Sequence, residues 1–170
     1  MVWRIKGCLL FLLILSGCRV NYSFTGASVD PSIKTVSILQ FENKAPLASP
    51  TLSPQLTEKL RDKFVSQTSI RVINNEDLAD IGYRGSIVGY DVAPAGFSGN
   101  DQSAALNRLS ITIEVTFFDK KDATKSWQQR FVRYADFSGS VPLGSVESTL
   151  VNDISKQLAE DLFNKSFVNW

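Results

Sequence analysis

Apolar and polar positions alternate along the chain in patterns that mark out a few elements. The clearest is "NRLSITIEVTFFD", residues 107 to 119. Leu109, Ile111, Ile113, Val115 and Phe117 recur every second residue, with Ser110, Thr112, Glu114 and Thr116 between them. A period of two predicts a strand with one face on a core and one polar face left open. "KTVSILQF", 34 to 41, carries apolar residues on both faces, as a strand covered on both sides does. "SIRVI", 69 to 73, is a shorter strand. "RGSIVGYDVAP", 84 to 94, is another, and Gly85 and Gly89 share a face there under period two, which suits a close neighbour. After the turn "KKDAT", "KSWQQRFVRYADF", 125 to 137, returns as a hairpin partner. Its pattern is broken: Trp127 and Phe131 fall in one register, Val132 and Tyr134 in the other. The break predicts a bulge near Arg130 to Val132.

Two segments carry a helical period instead. Leu52, Leu56, Leu60 and Phe64 recur every four residues, predicting a one-sided helix over 53 to 66 with Ser53 as its cap and Pro54 at its first position. Val146, Leu150, Ile154, Leu158 and Leu162 form a second stripe, widened by Val151 and Phe163. It predicts a helix of about five turns from Gly144-Ser145, with Glu147 in its first turn. The order strand, helix, strand between 34 and 73 suits a crossover with parallel strands. "ENKAPLASPTLSP" holds three prolines and reads as a loop. "NNEDLADIGY", 74 to 83, reads as a turn with one helical turn at Glu76 to Asp80, and "AGFSGNDQSAAL", 95 to 106, as a long polar loop. The sum is an α+β, two-layer sandwich: two amphipathic helices on one face of a mixed sheet of four to five strands, forming a single domain over 33 to 170.

The start of the chain is of another kind. "MVWRIKGCLLFLLILSGC" has Arg4 and Lys6, an apolar run from Cys8 to Leu15, then Ser16 and Gly17 before Cys18. This is the layout of a secretory signal, removed over 1 to 17, and the run is too short to span a bilayer. Leu15-Ser16-Gly17-Cys18 resembles the bacterial lipobox, which implies cleavage before Cys18 and its acylation with diacylglycerol and an N-linked chain such as palmitate. Several acyl chains hold a protein on a membrane where one does not. Residues 18 to 32 then form a lipid-anchored tether, in which Tyr22 and Phe24 leave room for a short edge strand. Arg19, rather than Asp, follows the cysteine, which favours the outer membrane, facing the periplasm.

Composition narrows the chemistry. The net charge of +1 becomes −1 once Arg4 and Lys6 leave with the signal, so no nucleic-acid footprint exists. There is no histidine, and the two cysteines are Cys8, lost with the signal, and the acylated Cys18. Cysteine or histidine nucleophiles, histidine metal sites and internal disulfides are thereby excluded. No Gly-rich phosphate loop precedes a helix. The carboxylate pairs Glu76-Asp77 and Glu160-Asp161 fit a turn and a solvated helix face better than hydrolytic chemistry. The reading is of a binding protein and not an enzyme, with no metal and no cofactor. Arg108, Lys120, Lys121, Lys125, Arg130 and Arg133 could bind phosphate. The same charges also fit an edge strand guarded against pairing.

Cys18 with "YSFTGAS" at 22 to 28, "IKTVSILQFENKAP" at 33 to 46, "LSPQLTEKLRDKF" at 52 to 64, "LADIGYRGSIVGYDVAP" at 78 to 94, "NRLSITIEVTFFD" at 107 to 119 and "LAEDLFNKSFVNW" at 158 to 170 resemble, in order, the LptE family of LPS-assembly lipoproteins. The resemblance implies an outer-membrane lipoprotein that sits inside the LptD β-barrel, helps that barrel assemble and contacts lipopolysaccharide on its way to the outer leaflet. It also implies two helices on one side of a mixed sheet. No motif aligns the family's LPS-contacting basic residues with this chain, and Arg130 and Arg133 are assigned that role from the hairpin's charge. "KTVSILQFENKA" also resembles the opening strand of periplasmic lipoproteins of the curli-secretion or cell-wall-synthase-activator type, which act by protein–protein assembly.

Overall fold

The computed structural model describes residues 30 to 98 and 101 to 167, with the side chains of 97 to 105 left aside. The signal segment, Cys18 and most of the 18–32 tether, including the Tyr22–Phe24 segment, lie outside the described residues. The elements are β1 (Thr35–Ile38), β2 (Glu42–Asn43), α1 (Leu52–Gln67), β3 (Arg71–Ile73), β4 (Ile81–Ser98), β5 (Asp101–Asp119), a 3₁₀ turn (Ala123–Lys125), β6 (Trp127–Ser138) and α2 (Leu143–Phe167). The sheet has six strands, ordered β3-β1-β4-β5-β6 with β2 also against β4, one more than the upper expectation. The extra one is β2, the first two residues of "ENKAPLASPTLSP", which the sequence alone presents as loop: β1 and β2 lie in succession along one side of β4, both parallel to it. β1 also pairs parallel with β3, as the crossover predicts, while β4, β5 and β6 are antiparallel.

Both helices cover one face of the sheet. Leu52, Leu56, Leu60 and Phe64 of α1 are fully buried, as are Ile154, Leu158 and Leu162 of α2. They meet Leu109, Ile111, Ile113, Val115 and Phe117, the odd positions of β5, in one core. Phe64 is central to it, edge-on to Phe163 at 5.4 Å, to Phe167 at 5.6 Å and to Tyr83 at 5.7 Å. On the opposite face Ser110, Thr112, Glu114 and Thr116 remain partly exposed with no helix over them.

Several local expectations are corrected. Ser53 does not cap α1: Thr51 stands at the cap without a side-chain bond, and the Ser53 hydroxyl donates to the Phe41 carbonyl instead. Buried inside the layer, that carbonyl has more need of a donor than the exposed helix start has. α2 begins at Leu143 and runs 25 residues, about seven turns, so Glu147 lies beyond its first turn. The Glu76–Asp80 segment is a turn closed by Ala79 N–H on the Glu76 carbonyl at 3.2 Å, not a helical turn.

The polar segment 95 to 106 is mostly strand. β4 and β5 stay paired out to Ser98 and Asp101, with register shifts around Gly96. Cross-strand bonding to a long partner overrides a local composition that reads as loop. The bulge falls on β4, between Ile87 and Gly89, and not on β6. It places Gly85 opposite Val115 on the helix side and Gly89 opposite Thr112 on the open side, so the two glycines do not share a face. The β5–β6 register runs unbroken from Leu106↔Ser138 to Phe117↔Trp127. The broken pattern of β6 has a simpler cause: odd residues face α2 and even ones, including Val132 and Tyr134, stand exposed on the open face.

Candidate functional site

The cations singled out in the sequence lie on or beside the β5–β6 hairpin, and the alternation of β6 separates the two assigned to lipopolysaccharide. Arg130 pairs across the ladder with Glu114 on the open sheet face. Arg133 lies opposite Ile111 on the helix side, where its guanidinium meets both oxygens of Asp161 on α2 at 2.6 Å. Three residues apart on a strand means side chains that leave from opposite faces, although both arginines border one groove beside β6. Asp161 raises the Arg133 pKa by accepting its hydrogen bonds. Beside Arg133 a groove of about 440 Å³ runs between β6 and α2, lined by Arg130, Phe131, Val132, Asp161, Asn164 and Lys165.

The other cations are engaged too. Arg108 makes a two-point pair with Asp136, at 2.7 and 2.9 Å, and lies 3.7 Å from the Tyr134 ring centre. Its hydrogen bonds hold the Asp136 carboxyl below its ordinary value. Lys120 donates to the Glu76 and Asp77 carbonyls at 2.6 and 2.9 Å, tying the 74–80 turn to the end of β5. Lys121 reaches Asp80 at 3.2 Å, and Lys125 reaches Asp122 at 3.7 Å. The surface is therefore a mosaic of paired charges. Exposed pairs of this kind hold together by about 0–1 kcal/mol, so a phosphate can exchange into them.

The carboxylates have structural work. Arg84 holds Glu76 in a two-point ion pair and lowers its pKa by hydrogen bonding. Asp80 was not singled out in the sequence and is the most strongly perturbed carboxylate. The Lys34 N–H at 2.7 Å, then Lys121 and the Thr35 N–H and hydroxyl, hold it down to about 2. No signal in its local sequence marks it, because its donors are some 45 residues away. Tyr90, whose phenol is pushed up by burial and by its bond to Glu147 at 2.5 Å, pins β4 to α2. Among the described residues no cluster of side chains is arranged to hold a metal ion.

The fold is a two-layer α+β domain with one open polar sheet face and cations of the β5–β6 hairpin held in ion pairs. The chain belongs to the LptE family of lipopolysaccharide-assembly proteins, whose pattern it matches over residues 33–166. That family consists of non-enzymatic lipoproteins of the outer membrane. No curated protein matches the chain. Among solved structures it is similar to a minor lipoprotein from Acinetobacter baumannii, at 15% identity over 78% of this chain and 91% of that one, TM-score 0.44. It is also similar to lipoprotein B from Nitrosomonas europaea, at 15% identity over 77% and 80%, TM-score 0.48. A Xanthomonas campestris protein shares the fold at 8% identity over 78% and 85%, TM-score 0.52. No helix among the described residues is long and apolar enough to cross a membrane.

Proposed function

We propose that this chain is an outer-membrane lipoprotein, acylated on Cys18 after loss of residues 1 to 17, that binds inside an LptD-like β-barrel. There it helps the barrel assemble and assists lipopolysaccharide transport to the outer leaflet. The observation that carries this reading is the family match over 33–166. The open polar face supports it, because the lumen of such a barrel is polar and a plug meets it with polar surface. Arg130 and Arg133 are the proposed lipopolysaccharide contacts, acting from two faces of β6 by exchanging Glu114 and Asp161 for lipid phosphates. The curli-secretion type of assembly has no comparable support.

The test is site-specific photocrosslinking in outer membranes from Arg130, Arg133 and Gly96, read against both barrel and lipopolysaccharide. Barrel adducts at Gly96 and lipopolysaccharide adducts at the arginines are expected. Recovery of the mature protein from outer membranes without any barrel would sink the proposal.

A further inference from the structure

Where β5 stops and β6 begins, a cavity of about 380 Å³ opens beside the last turn of α2. Phe117, Trp127 and Phe167 give it aromatic walls, and Asp30, the first described residue, lines it together with Lys125. The Trp127 indole Nε1–H is buried without a hydrogen-bond partner among the described residues. A buried donor in that state calls for an acceptor. The start of the described chain leads to this cavity. The Lys34 N–H donates to Asp80 just before β4, and the Ser32 carbonyl accepts from Lys121 just after β5. Asp30 lies with Lys125, in the turn before β6. Followed backwards from β1, residues 34 to 30 thus cross the end of the sheet from β4 towards β6. The residues before Asp30 are delivered to the cavity.

We infer that the occupant of this cavity is the chain's own N-terminal segment, with Phe24 as the ring that enters it. Phe24 is the nearest aromatic residue before Asp30, and Thr25, Gly26, Ala27 and Ser28 after it are small. The steps from Phe24 to Asp30 span at most about 20 Å, enough for the ring to return beside Asp30. Tyr22 leaves an extended segment on the same side as Phe24 and covers the mouth. Burial of the rings drives the docking, and a backbone carbonyl of the segment supplies the acceptor that Trp127 lacks. Docking shortens the free leash after Cys18 from residues 19–29 to residues 19–23. It thereby holds the Trp127 end of the domain near the membrane and the β4–β5 tip away from it. The leash rests on the acylation of Cys18 proposed above; the docking itself does not.

The test uses the full chain purified from membranes in detergent, with photoreactive benzoylphenylalanine in place of Phe24. Mass spectrometry is expected to find adducts within the same molecule on Trp127, Lys165 or Phe167. The same probe at Leu47, an exposed residue away from the cavity, should give none there. In a Trp170→Phe chain, Phe24→Ala should raise acrylamide quenching of Trp127 fluorescence and lower Tm by several degrees. Phe24→Leu should restore most of both. Adducts only on lipid, on another protein or elsewhere on the chain overturn the inference. So does Trp127 quenching that Phe24→Ala leaves unchanged. Quenching raised by Trp170→Ala but not by Phe24→Ala would overturn it in favour of the residues after Phe167.

Discussion

Asp80 shows how much one side chain can organise. Its carboxylate joins the start of β1 to the start of β4 and to Lys121 in the β5–β6 turn. Asp80→Ala removes the acceptor for two backbone N–H groups and is expected to cost about 1–3 kcal/mol at neutral pH, measured by urea unfolding. The pH dependence has a definite sign. The folded carboxyl sits near 2, below its ordinary value, so its contribution is complete above the usual carboxylate range and is lost as pH falls toward 2. Between pH 5 and 3 the wild type should therefore lose stability faster than Asp80→Ala. Gly85 makes a different demand, for space. A Cβ there would lie 2.2 Å from the buried Phe41 ring, whereas one at Gly96 meets nothing within 4 Å. Gly85→Ala is expected to destabilise by about 1–3 kcal/mol and Gly96→Ala to stay near wild type in thermal unfolding.

Among elements, the join between the β1–β2 segment and α1 is held by polar groups inside the layer. The Phe41 N–H donates to the Thr57 hydroxyl at 3.2 Å, and the Ser53 hydroxyl donates to the Phe41 carbonyl. The interruption between β1 and β2 thus has its backbone groups satisfied by the helix instead of by a neighbouring strand. Thr57→Val keeps the volume but orphans that N–H, and should cost about 1–3 kcal/mol in chemical denaturation. α2 is tied separately. The Tyr90 phenol bonds Glu147 near one end, and the Tyr83 phenol, pushed up by burial, donates to Ser166 at 2.6 Å near the other.

For the whole molecule, the proposed anchor on Cys18 can be tested apart from the folded domain. Replacing Cys18 by Ala removes the proposed acyl chains, and membrane fractionation should then find the protein in the soluble periplasm with the domain's thermal unfolding unchanged. A Cys18→Ala chain that still fractionates with the outer membrane would point to retention by a bound partner.

Helices and strands were legible in the sequence wherever burial is one-sided, because a single apolar face imposes its period on the residues. The stripe from Leu52 to Phe64 and the alternation from Leu109 to Phe117 are the clear cases. The order of elements was enough to set two helices on one side of the sheet and leave Ser110, Thr112, Glu114 and Thr116 uncovered. The absence of histidine turned attention from catalysis to binding. Three things waited for the tertiary structure. The 95–106 segment became strand through its long partner. Ser53 left the helix cap for the Phe41 carbonyl. Arg130 and Arg133, close in sequence, parted to opposite faces and found Glu114 and Asp161. Each turns on a contact between residues distant in the chain or on the side to which a strand presents a residue, and local composition encodes neither.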